Sequence, residues 1–179
     1  GWLRESLRNN RPLSEMTREL LTARGNLYQS GPVSYFFVDE RPENLAETTA
    51  QVFLGVRLQC ARCHHHPMEV WSQDDYWSLA ATFARLEVKQ TQELGGQGRF
   101  GGIKLLRVTQ KIPESRRLPM DRPPKALGGP SFAAVAETDD PRVPLADWLV
   151  AAGTGPVGIA AGELIDSARH VFNTWIPRT

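Results

Sequence analysis

Apolar positions fall at helical spacing over much of the first half of the chain. Leu13, Met16, Leu20 and Leu21 form an inward stripe on the second of two short helices, which residues 9–12 separate. Ser14 is the expected N-cap of that helix and Gly25 its expected end. Residues 33–38, VSYFFV, are β-prone and unbroken, and read as a short strand or an extended strip against the core. Pro42 and Glu43 open a central helix, proline and an acid both suiting a first turn. Its stripe, Leu45, Thr49, Val52, Phe53 and Val56, runs on into Cys60 and Cys63 and so places both cysteines on the core side, with Pro67 as the stop. Ser72 then caps another helix, with Asp75 as its capping-box partner. Tyr76, Leu79, Ala80, Phe83 and Leu86 are its predicted buried face.

After residue 90 the pattern changes. Gly95, Gly96, Gly98, Gly101 and Gly102 predict a mobile loop, and residues 103–109 a strand, paired with residues 110–112 or with the aromatic run near residue 35. Seven cations between Lys104 and Lys125 then face two acids, Glu114 and Asp121, within a proline-rich passage. That passage reads as a solvated basic loop or as a docking patch for an acidic group. Asp140 and Pro141 start a short helix with Leu145, Trp148 and Leu149. A last helix over residues 159–175 carries Leu164, Ala168, Val171, Phe172 and Trp175 on one face.

Composition narrows the classes. With 41% hydrophobic and 23% charged residues, the 179-residue chain has an ordinary globular balance, and its formal charge of +1 argues neither for nor against a polyanionic partner. The basic passage lacks the interleaved aromatics of a nucleic-acid surface, and no apolar run is long enough to span a bilayer. Gly1 in the place of a methionine reads as a processed chain or an excerpt, so an export signal is not expected within it.

The candidate chemistry is concentrated in QCARCHHHPMEVW, residues 59–71. This stretch holds both cysteines of the chain, Cys60 and Cys63, and three of its four histidines. Cys-x-x-Cys-His is the spacing of covalent haem attachment: two thiols one turn apart meet one edge of a porphyrin, and the following imidazole ligates the iron. The expected contacts of one haem c are Cys60, Cys63, His64 and Trp71, with His64 on the iron. The opposite iron face needs a remote ligand, Met120 ahead of His170, with Met16 read as core packing. A tetrahedral zinc site built from the same cysteines and two imidazoles is the alternative, and a Cys60–Cys63 disulfide a third reading.

Residues 45–84, with the signature of an aliphatic-Gly pair, Cys-x-x-Cys-His, His-Pro and a Ser-Gln-Asp-Asp-Tyr helix start, resemble the cytochrome-associated domain of planctomycete-type surface proteins. RNNRPLSEMTRELLTARG resembles the upstream helices of that family, and RPPKALGG and DDPRVPLADWL the passage towards its second domain. The resemblance implies an exported, periplasmic or otherwise extracytoplasmic, c-type cytochrome-like chain with Cys60, Cys63 and His64 at the matching positions. The expected partner is a redox protein or a neighbouring cytochrome domain of a larger assembly. The sequence offers no distal acid–base constellation, so an electron carrier is expected more than an enzyme, with a non-catalytic interaction module holding zinc or no cofactor as the alternative. The expected fold is mainly α, a compact helical cytochrome c-like domain with long loops and a small β component. Residues 1–130 are its haem-binding part, and residues 131–179 a helical segment packing on it or opening a second domain.

Overall fold

Helix α5, Gln73–Ala81, is the centre of the packing in the computed structural model, which describes residues 1–91, 103–136 and 139–151. Every residue from Tyr76 to Phe83 is buried, so this helix is enclosed on all sides and not merely on one stripe. Helix α4 (Pro42–Thr49) packs directly on it, and the other described helices are α1 (Trp2–Arg8), α2 (Leu13–Leu21), α3 (Ser34–Val38) and α6 (Arg142–Val150). Strands β1 (Leu86–Thr91) and β2 (Ile103–Val108) form a two-stranded antiparallel sheet with Leu86 opposite Val108 and Val88 opposite Leu106. The described residues are thus helix-rich with a small sheet. Leu21, Val33, Phe36, Leu45, Leu58, Leu79, Phe83, Leu106, Leu145 and Leu149 share one apolar core.

Ser72 starts α5 as its sequence predicts. Its hydroxyl oxygen accepts from Asp75 N–H at 3.1 Å, while Asp75 Oδ2 accepts from Ser72 N–H at 3.0 Å. Burial alone would raise the Asp75 carboxyl, but the bonds from Ser72 and Lys125 outweigh it and hold the group below its usual range. Ser72→Ala should therefore cost about 1 kcal/mol, read as a lower urea midpoint at unchanged slope; an unchanged midpoint would show that the box contributes nothing.

Several local expectations are corrected. Residues 33–38 are helical: a 3₁₀ turn, Gly31–Val33, leads into α3. Val33 and Phe36, three apart, both point inward, and that burial overrides the β preference of the run. Leu86 lies in β1, not on a helix, and β2 pairs with β1 instead of residues 110–112 or the run near residue 35. Helix α2 begins with Pro12 as N-cap and stops at Leu21, leaving Ser14 inside the first turn. Gly25, with a left-handed φ of 94°, docks on the free edge of β2 by exchanging two hydrogen bonds with Leu106, at 3.0 and 2.8 Å.

Helix α6 packs against α2. At its start Arg142 is fully buried. Its Nε and Nη2 grip the two oxygens of Asp140 at 3.0 and 2.7 Å, its Nη1 donates to the Ala23 carbonyl at 3.0 Å, and its guanidinium lies 5.0 Å from the Phe36 ring centre. Asp140 also accepts from the Arg142 N–H, but the N-cap is Pro141 and the helix opens at Arg142, one residue later than the sequence suggests. The glycine-rich stretch from Gly95 to Gly102 and the helix expected over residues 159–175 lie outside the described residues.

Candidate functional site

The Cys-x-x-Cys-His stretch is shaped by how α4 ends. After Thr49 the helix widens into a π-turn, Ala50–Leu54, and Gly55 at φ 70° closes it, with the Val56 N–H reaching back to the Ala50 carbonyl at 3.2 Å. The predicted stripe therefore does not continue. Leu45, Thr49 and Ala50 are buried and Phe53 and Val56 half-buried against the core, whereas Val52 is exposed and the stripe does not reach the cysteines. Chain direction is reset at Gly55, and the motif starts a new frame as a 3₁₀ turn, Gln59–Arg62.

A 3₁₀ turn repeats every three residues, which gives the motif two faces. Leu58 and Ala61, both fully buried, form the inner one. Cys60 and Cys63 form the outer one, both exposed and both free thiols. The expectation that the cysteines face the core is overturned: Ala61 fills that place, and the thiols point to solvent. Two polar pins hold the turn. Gln73, the first residue of α5, donates to the Arg62 carbonyl at 3.0 Å, and Arg62 pairs with Glu43 in the first turn of α4 at 3.5 Å. Both pins escaped sequence reasoning, because nothing local marks a polar contact that spans eleven or nineteen residues.

The three histidines are not equivalent. His64 is exposed, and its Nδ1 lies 2.6 Å from the His65 carbonyl. A carbonyl only accepts, so Nδ1 carries a proton, and Nε2 makes no hydrogen bond among the described residues. His65 is exposed. His66 uses both ring nitrogens: Nδ1 accepts from Met68 N–H at 3.3 Å, and Nε2 donates to the Arg57 carbonyl at 3.0 Å. Met68 and Val70 follow, each almost entirely exposed.

Trp71 is half-buried against the core. Its indole N–H donates to Glu69 at 2.8 Å, and its ring edge lies where a Cβ on Gly128 would come within 3.2 Å. A side chain at Gly128 would push the indole away, and the φ of 70° there also favours glycine. Met120 is half-buried against the core, two residues before Arg122, which pairs with Asp74 in the first turn of α5 at 2.8 Å. Met16 is buried in the helical core, as expected of a packing residue. His170 lies outside the described residues.

Cavities among the described residues lie elsewhere. One, of about 360 Å³, is bounded by Glu40, Glu43, Glu87, Val88 and Arg116. The Nε and Nη2 of Arg116 are buried without a hydrogen-bond partner, and burial pulls this guanidinium below its ordinary pKa. Another, of about 590 Å³, lies between Arg85, Ile112, Arg122 and Phe132. Neither has Cys60, Cys63 or His64 in its wall. Among the described residues no three His, Cys, Asp or Glu side chains converge as a metal cluster, and no helix is long and apolar enough to cross a membrane.

No curated protein and no solved structure matches the chain. Residues 1–88, just under half of it, match the family model of PSCyt2, described as a protein of unknown function (DUF1549). The attachment-like turn lies within that stretch, whose similarity is thus to a planctomycete-type domain family of unknown function.

Proposed function

We propose that the chain is an exported c-type cytochrome-like electron-transfer domain with one haem, held by Cys60 and Cys63 and ligated by His64. One observation carries the reading: two free thiols share the solvent face of one short turn, directly before an imidazole whose Nε2 is unengaged. The donor set fits the group. Thiols on a common face suit a single porphyrin edge, and a ligating imidazole ordinarily gives its other N–H to a carbonyl, as His64 does to His65. Exposed Val52, Met68 and Val70 supply apolar surface on the same stretch of chain. When bound, haem supplies reversible one-electron iron chemistry; the protein's share is orientation, access and potential.

In this reading α4, the turn and α5 act as a cytochrome c-like clamp, with Trp71 lining the ring. Met120, on a segment stiffened by Pro119, would be the second side chain to hold the iron, with His170 next in line. The basic passage from Lys104 to Lys125 receives an acidic redox partner or a neighbouring cytochrome domain.

The test is the visible spectrum of the full chain made in a host that attaches haem c. His64→Ala should change the spin state and shift the main absorption band, while His65→Ala should leave both unchanged. Equal responses would remove His64 from the proximal position, and a colourless wild type that retains zinc would replace haem with a Cys/His metal site.

A further inference from the structure

The geometry assigns a second task within the histidine run: His66 is a positioning residue, a latch that fixes the loop presenting the two thiols and His64. The loop has few anchors of its own. Cys60, Cys63, His64, His65, Pro67, Met68, Glu69 and Val70 are all exposed, so apolar burial holds it through Leu58 and Ala61 and, at its exit, the half-buried Trp71. His66 makes up the difference with three bonds. Its ring Nε2–H reaches back across the motif to the Arg57 carbonyl at 3.0 Å, and its Nδ1 accepts the Met68 N–H at 3.3 Å. Its own backbone N–H donates to the Trp71 carbonyl at 2.8 Å. One residue thereby ties the chain entering the motif to the chain leaving it, immediately beside the half-buried Trp71. Met68 and Arg57 together dictate the Nε2–H tautomer, since one needs an acceptor and the other a donor. Neither nitrogen is then free for a metal, which is why adjacent histidines of identical chemistry divide into ligand and latch.

This deepens the haem reading in one arm of its test and stands without it in the other. Nitrogen NMR of the full chain should show His66 as the neutral Nε2–H tautomer, and the Met68 amide should exchange roughly fivefold faster in His66→Ala, the worth of one ordinary hydrogen bond. The Asn and Gln variants separate the two ring contacts. His66→Asn can still accept from the amide two residues on but cannot reach Arg57. His66→Gln has the length to donate across the loop. Haem attachment in a competent host should fall severalfold in His66→Ala and His66→Asn and recover in His66→Gln, with His65→Ala unaffected. An Nδ1–H tautomer, or a Gln variant no better than Ala, overturns the latch. A wild type without haem leaves the tautomer and exchange results to decide it, and defeats only the haem reading.

Discussion

Replacing Cys60 and Cys63 together by serine should abolish covalent haem, and mass spectrometry in denaturant should register the whole difference. Each thiol adds its S–H across a vinyl group and nothing leaves, so the wild type should gain the mass of an intact haem and show no titratable thiol when unfolded. Serine oxygen forms no such link. The double variant keeps His64, but a single imidazole holds haem only in the folded protein, and denaturant releases it. Single variants retain one thioether and should attach haem in reduced yield. Because Cys60 and Cys63 are exposed and make no core contact, neither change should alter stability of the haem-free chain by more than the roughly 0.5 kcal/mol usual at such surfaces. A wild type of haem-free mass with two reactive thiols would refute the assignment.

Arg142→Met should be the most damaging single change described here, lowering stability by about 3–5 kcal/mol. The loss comes from what stays behind. Asp140, 4% exposed, would keep only the half-exposed Arg24 as a charged partner, and the Ala23 carbonyl would lose its donor. Removing both charges by Arg142→Met with Asp140→Leu should cost less than Arg142→Met alone, because no uncompensated ion remains. Urea unfolding of the three proteins measures this, and a loss under about 1 kcal/mol for Arg142→Met would refute it. Acid should act through the same pair. Burial alone would raise the Asp140 carboxyl, but the bonds from Arg142 and Arg24 hold it below the 3.8 of an unperturbed aspartate. The depressed native value means that Asp140 contributes fully above the unfolded pKa, and that this share is lost as pH falls through the native one. Asp140→Asn should flatten that acid limb.

What could be read from sequence was local. The Ser72–Asp75 box was legible because both partners sit within one turn, and so were the two N-terminal helices and the burial of Met16. The orientation of the thiols was not, because the apolar stripe of α4 was carried across Gly55, whose left-handed conformation is itself a stop signal. The β1 strand was hidden because Leu86 also fits the helical face of α5; the alternation in Leu86-Glu87-Val88-Lys89 was the available clue. The Asp140–Arg142–Ala23 knot and the reach of His66 to Arg57 depend on tertiary approach, which no local pattern encodes. Residue types thus pointed to the site, while its facing and its fastening came from distant contacts.

The similarity to the family model stops at residue 88, in the middle of β1. The native hydrogen bonds pass straight over that point. Gly25 is paired by Leu106, the Ser78 carbonyl by the Lys125 N–H, the Ala23 carbonyl by Arg142, and Trp71 is seated against Gly128. A fragment excised at residue 88 would carry a severed strand, the Ala23, Gly25, Ser78 and Arg85 carbonyls stripped of donors that lie beyond the cut, and an unseated indole. The stretch recognisable by sequence is therefore not a transplantable module: a gene fusion or shuffling event that moves the Cys-x-x-Cys-His turn intact must carry the chain as far as α6.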